Sequence, residues 1–370
     1  MNLLIGFTLI GVWEQCKAEE LCKISTGKGN TQDKVENGKY PFYVRSENIE
    51  RSNYFLYDQE AVLTVGDGVG TGRVFHYVSG KYNLHQRVYR MYDFNKQISA
   101  KYFYYYFSLN FHRRVRSLTA KTSVDSVRLN MIADMEIKYP SELEQLKIFS
   151  FLDYLIKSIT LHQRKLEQLK ELKKAYLQLM FPTKEERVPK LRFADFEGEW
   201  ELCKLIGILD IIKGTQKSKS ELSTNQNNCT PYPVYNGGIN PSGYTNIYNR
   251  ENAITISEGG NSAGFVNFVQ EKFFSGGHNY TIVNNVTDTL FLFFYLCSIQ
   301  EEIMRLRVGT GLPNIQKPTL MNLEIQKTTD NEQKFIGLFL KNIDILITLT
   351  QNKLNQLKSL KKSYLQNMFI

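Results

Sequence analysis

Residues 166–181 read LEQLKELKKAYLQLMF and residues 354–369 read LNQLKSLKKSYLQNMF, identical at 12 of 16 positions with a constant offset of 188 residues. That offset is close to half of the 370-residue chain, so the sequence is one unit of about 185 residues written twice. Two copies in one chain predict pseudo-twofold symmetry and, with it, a target in two parts.

The chain is long enough for two domains with cores of their own. A formal net charge of +9, a pI near 9.1 and 13% aromatic residues lean toward a polyanionic partner, nucleic acid before membrane. Five cysteines (Cys16, Cys22, Cys203, Cys229, Cys297) without a CxxC pair offer neither a disulfide framework nor a zinc site, which fits a reducing cytoplasm. Cys16 and Cys203 fall at matching places in the repeats and read as packing residues. The opening MNLLIGFTLIGVW has no basic n-region and no small-x-small cleavage site before Trp13, so it is not expected to be a signal peptide. The apolar runs at 102–111 and 290–299 are too short to cross a bilayer and occupy the same repeat position, as a shared core element would.

Each repeat has two unlike parts. In the first, AVLTV (61–65) precedes the turn GDGVGTG (66–72) and RVFHYV, while AITIS (253–257) precedes EGGNSAG (258–264) and FVNFV. Both read as strand, glycine-rich turn and strand, followed by an apolar helix near 98–111 and 286–299. The second part is a long helix near 141–180 and 329–368. Leu152, Leu155, Ile159, His162, Leu166, Leu169, Lys173, Tyr176 and Met180 recur at alternating steps of three and four, as do Leu340, Ile343, Ile347, Thr350, Leu354, Leu357, Lys361, Tyr364 and Met368. That is a heptad seam, and the partner nearest at hand is the other copy, packed antiparallel. The polar interruptions, His162 with Thr350 and Lys173 with Lys361, mark either open stretches of the seam or positions that fix register. Pro182 and Pro189 end the first helix and open a charged linker.

The fold class is therefore α+β: two α+β domains separated by a pair of long helices forming an antiparallel coiled coil. The expected boundaries are 1–138 for the first domain, 139–182 for its helix, 183–198 for the linker, 199–323 for the second domain and 324–370 for the last helix.

The order domain, long helix, linker, domain, long helix, with GFTLIGVWEQCK and FEGEWELCKL at the two domain starts and LHQRKLEQLKELKKAYLQLMFP and LTQNKLNQLKSLKKSYLQNMF at the helix ends, resembles the DNA-specificity subunit of bacterial type I restriction-modification systems. The resemblance covers essentially the whole chain. It implies that each globular domain is a target-recognition domain reading half of a split, asymmetric DNA sequence, that the helices space the halves, and that two methyltransferase subunits dock on them, with restriction subunits joining. One departure concerns the G-G-T-P-S-like turn that family members carry after the first strand. IIKGTQKSKS (211–220) fits it loosely and ISTGKGNTQD (24–33) more loosely, and the basic lead-in VPKLRF (188–193) has no counterpart at the N-terminus. The first domain thus reads as divergent or trimmed.

A DNA reader needs phosphate clamps and base-edge readers on protruding loops. The first domain offers Lys28, Arg45, Arg73, Lys81, His85, Gln86, Arg87 and Arg90; the second offers Lys213, Gln216, Lys217, Lys219, Asn261, Lys272, His278 and Asn279. If they clamp phosphates, affinity falls steeply as salt rises. No catalytic set is visible. STGKGN lacks the first glycine and final Ser/Thr of a phosphate loop, NPSG (240–243) lacks the second proline and aromatic of an amino-methyltransferase element, and the histidines show no metal spacing. The chain reads as a non-enzyme without cofactor or metal, with S-adenosylmethionine, ATP and Mg belonging to partner subunits. A specificity subunit serving a methyltransferase without nuclease, and a coiled-coil scaffold whose ends bind proteins, remain as alternatives.

Overall fold

A computed structural model describes residues 13–68, 70–118, 126–309 and 311–369. The reading of the first 12 residues as no signal peptide lies outside them. Among the described residues no helix is long and apolar enough to cross a membrane. The chain forms two compact units: residues up to Leu161 with those from Leu354 on, and His162–Lys353. The division cuts both long helices, Glu142–Leu179 and Asp330–Asn367, so each unit holds one end of each.

In the first unit, strand Glu14–Lys17 pairs antiparallel with Glu136–Tyr139 and closes the domain, Cys16 opposite Ile137. Between them, Lys23–Thr26, Val88–Tyr92, Ala61–Val65 and Phe75–Val78 form one sheet in that order. A second sheet runs Ile49–Ser52, Tyr40–Tyr43, Lys81–Leu84, Tyr57–Asp58. The helix Ala100–Leu118 buries Tyr102, Phe103, Phe107 and Phe111 against the first sheet, joined by Ile148 and Leu152 from one long helix and Phe369 from the other. The apolar run at 102–111 is thus a core helix.

The second unit repeats the plan. Glu201–Lys204 pairs with Glu324–Lys327, Cys203 opposite Ile325. The strands Asp210–Lys213, Asn279–Val283, Arg250–Ser257, Val266–Ser275, Tyr232–Tyr235 and Gly243–Thr245 now make a single six-stranded sheet. The difference is local. In the first unit Gly80, at φ +91°, turns the chain between Phe75–Val78 and Lys81–Leu84, whereas Gln270 and Glu271 let Val266–Ser275 run straight through. Helix Thr289–Ser298 buries Phe291, Leu292, Phe294 and Tyr295 in a core that Met180, Phe181, Ile336 and Leu340 complete.

The seam residues are buried or half-buried on both helices. Leu152, Leu155, Leu166, Leu340, Ile343, Leu354 and Leu357 are buried, and Ile159, Leu169, Tyr176, Ile347 and Tyr364 are half-buried. In the second unit Tyr176 meets Phe339 edge-on at 5.0 Å and Lys173 meets Asp344 at 2.6 Å, so the helices run antiparallel there. Phe151 and Tyr364 make the equivalent ring contact in the first unit, at 4.8 Å. Of the two accounts of Lys173, the pair with Asp344 favours the register-fixing one. That device is not repeated, because the residue equivalent to Asp344 is Ile156.

The linker is pinned to the second unit. Arg192 grips Glu332 with two bonds of 2.7 Å and donates to the carbonyls of Glu197 and Gly198, while Gln326 donates to the carbonyls of Thr183 and Glu186.

The free thiols differ sharply in setting. Burial pushes Cys22 and Cys297 up to about 12, which leaves about one molecule in ten thousand as thiolate at pH 8. Cys229 is exposed in a polar turn. A disulfide reagent at pH 8 is therefore expected to modify Cys229 fast, the half-buried Cys16, Cys203 and Cys297 slowly, and Cys22 only on unfolding. Fast native reaction of all five would contradict this packing.

Candidate nucleic-acid interface

The two loosely matching turns are built alike. The Gly27 N–H donates to the Val88 carbonyl at 3.0 Å and that of Gly214 to the Asn279 carbonyl at 2.8 Å. A Cβ at Gly27 would stand 2.3 Å from the Leu84 carbonyl oxygen, and one at Gly214 would stand 2.2 Å from that of Gly276. Both positions therefore demand glycine, whatever the flanking sequence. The first turn, the looser match in sequence, is thus built on the same close approach as the second. Each turn is laid along the segment that follows a parallel-paired strand, 85–87 in the first unit and 276–278 in the second.

The same backbone bond aligns the two segments. The Gly66 N–H donates to the Arg87 carbonyl, and the Glu258 N–H to the His278 carbonyl. Arg87 and His278 thus hold equivalent positions. In the first unit Arg87 Nη1 lies 3.2 Å from Asp67 Oδ2 and Arg45 Nη1 lies 3.5 Å from Asp67 Oδ1. In the second, Lys213 Nζ lies 2.6 Å from Glu258 Oε1, the Tyr280 hydroxyl donates to that oxygen at 3.0 Å, and His278 Nδ1 stands 3.7 Å from Oε2. Burial, then Glu258, pushes the Tyr280 phenol up to about 12, so it stays a donor. Asn236, Gly237, Gly259, Asn261, His278 and Asn314 line a cavity of about 570 Å3 beside Glu258.

Lys28, Arg45, Gln86 and Arg87 therefore gather in the first unit as exposed side chains around the turn and Asp67, and Lys213, Gln216, Asn261 and His278 do so in the second. Gln216 lies against Gly277. Arg73 is exposed but stands near His112, and Lys219 is exposed in the short helix Lys219–Glu221 beyond the turn.

Four residues are corrected. Arg90 is buried, its guanidinium held between the Tyr57 and Tyr92 rings at 3.8 Å from each. His85 is buried, bonded to Thr31 through Nε2, and its Nδ1 accepts from the Arg87 N–H. Burial and then Arg45 hold that imidazole below its usual range, in its neutral form. Asn279 is buried and donates to Ser275. Lys217 folds over the Phe274 ring at 5.2 Å. None of the four has an exposed head group. Lys81 and Lys272 are exposed, but each lies three residues, about 10 Å, from the end of its strand that carries the cluster, over Phe55 at 4.7 Å and Tyr248 at 4.5 Å. Sequence reasoning missed Asp67 and Glu258, the acids around which the cations collect.

A family model described as type I restriction modification DNA specificity domain matches residues 11–171 and again 197–359. The chain is 24% identical to the MjaVIII specificity subunit of Methanocaldococcus jannaschii over 95% of its own length and 90% of that protein. It is 27% identical to the EcoDI specificity subunit of Escherichia coli over 45% of its own length, a match that spans about a third (36%) of that protein. A crystal structure of the type I restriction-modification S subunit from M. genitalium superposes with a TM-score of 0.73 at 16% identity, covering 98% of each chain, which establishes a shared fold.

Proposed function

The chain belongs to the type I restriction-modification DNA specificity family, and from that premise we propose that it reads a bipartite, asymmetric duplex target and aims the chemistry of other subunits at it. The observation that carries this reading is the pair of equivalent loop clusters, built on the same glycine turns but bearing different heads. Arg45, Arg87, Lys28 and Gln86 offer one hydrogen-bonding pattern, and Lys213, His278, Gln216 and Asn261 another. Equal scaffolds with unequal readers suit two different half-sites.

In this reading the chain has no reaction of its own, and S-adenosylmethionine, ATP and Mg are bound by two methyltransferase subunits and by restriction subunits. The long helices set the gap between the half-sites. Tyr154 and Leu161, both exposed on the first long helix, supply apolar surface for a docking subunit.

Exchange of residues 200–323 for the corresponding domain of another family member is expected to change one half of the methylated sequence and leave the other half and the gap intact. Affinity for the matched duplex should fall at least tenfold between low and physiological salt. Methylome sequencing of a host expressing the chimera and its methyltransferase reads the outcome. A change in both halves, or in neither, contradicts the proposal.

A further inference from the structure

Asp67 and Glu258 are acids on a surface whose proposed partner is a polyanion, and they are not the same residue of the repeat. Glu258 aligns with Gly66, since both donate their N–H to the equivalent carbonyl, so Asp67 sits one step further along the turn. Their second cations also come from different places. Arg45 follows strand Tyr40–Tyr43, whereas Lys213 ends strand Asp210–Lys213. Two unlike routes thus arrive at one arrangement: a carboxylate, largely shielded from solvent, between a scaffold cation and the side chain at position 87 or 278. Inheritance of a single residue does not explain that. A shared task does.

We infer that Asp67 and Glu258 are positioning residues that hold Arg87 and His278 as base readers, one for each half of the target. The inference rests on the DNA-reading function proposed above. Arg87 is paired with Asp67 through Nη1 at 3.2 Å, and its side chain is 62% exposed, so a large part of the planar guanidinium stays open to solvent. Such a fork matches O6 and N7 of guanine, and the half-site read by the first domain contains a guanine under Arg87. His278 turns Nδ1 toward Glu258 and is 59% exposed, which leaves Nε2 for a base edge. Glu258 Oε2 is buried and has no hydrogen-bond donor within reach, so it stands ready for His278 to close the 3.7 Å gap.

The acids have a second consequence. A cation tied to a carboxylate is a weaker phosphate clamp, so the pairs lower affinity for random duplex while they sharpen selection. The two effects of removing an acid therefore have opposite signs, which a merely structural role would not produce.

The test uses the full chain, assembled with methyltransferase subunits, and a randomised duplex library from which the wild type first selects its target. D67N is expected to lose discrimination at one base pair of one half-site, by about fivefold to 150-fold. Its binding to random duplex should tighten, and its salt slope should steepen by about one. R87A should lose the same discrimination without that tightening. E258Q and H278A should do likewise in the other half-site only. Uniform loss across all sequences in R87A would make Arg87 a phosphate clamp and overturn the inference. So would selectivity within twofold of wild type in D67N and E258Q. If the wild type selects no sequence, the DNA-reading function itself falls; a selective wild type with unaffected variants sinks the inference alone.

Discussion

Replacing Arg192 by alanine should destabilise the second unit by about 3–5 kcal/mol, because it leaves the fully buried Glu332 carboxylate without its cation. The pair is bidentate; Glu332 Oε2 also accepts from the Thr328 hydroxyl, whereas Oε1 has its bond from Arg192 of the linker. For a unit of this size the loss corresponds to a fall of roughly 6–20 °C in the midpoint of thermal unfolding. The energy is that of an orphaned charge more than of the pair itself. A double variant, Arg192→Leu with Glu332→Leu, should therefore recover much of the loss. Calorimetry on the single and double variants checks both statements. A single variant within 1 kcal/mol of wild type would show that the linker is held by something else.

That latch has no equivalent acid of like burial in the first repeat. Glu144 is the first-repeat counterpart of Glu332, and it is only half-buried where Glu332 is fully buried. The lead-in VPKLRF is thus more than a charged tether: it supplies the cation that a buried acid of the second repeat requires.

What could be read from the sequence is what is periodic or repeated. The seams were legible because steps of three and four place Leu152, Leu155 and Ile159 on one helix face. The glycine turns were legible because glycine marks close approach. Arg90 was misjudged although the signal was present. Val88, Arg90 and Tyr92 alternate on one strand face, so a buried Val88 carries Arg90 inward with it. Asn279 and His278 are split by the same alternation. The acids were beyond reach for another reason. Asp67 meets Arg87, and Glu258 meets Lys213, through strand pairing across 20 and 45 residues, and nothing local to either acid distinguishes it from a solvated surface charge. Arg192 and Glu332, 140 residues apart, are an extreme case.

Truncating the last aromatic residue of either repeat should cost about 3–5 kcal/mol, and the damage should appear in a different unit for each. Phe181 is buried against Trp200, Phe291 and Tyr295, with centroids at 6.2, 5.7 and 5.4 Å, all in the second unit. Phe369 is buried in the first unit against Tyr102 and Tyr106, at 5.6 and 6.0 Å. Each long helix thus starts in the core of the domain it follows and ends in the core of the other. Phe369→Ala is accordingly expected to speed amide exchange in Ala100–Leu118 while leaving Thr289–Ser298 protected, and Phe181→Ala to do the reverse. Faster exchange in both helices from either variant would mean that the units unfold as one. Slowed or unchanged exchange in both would mean that the aromatic ends are not anchors. The aromatic anchors Phe181 and Phe369 close the longest identity between the repeats. Tyr176 and Tyr364, half-buried, and Met180 and Phe181, with Phe369, are the repeated positions that meet a core, whereas the repeated Leu172, Lys174, Leu360 and Lys362 are exposed and the cores do not account for them.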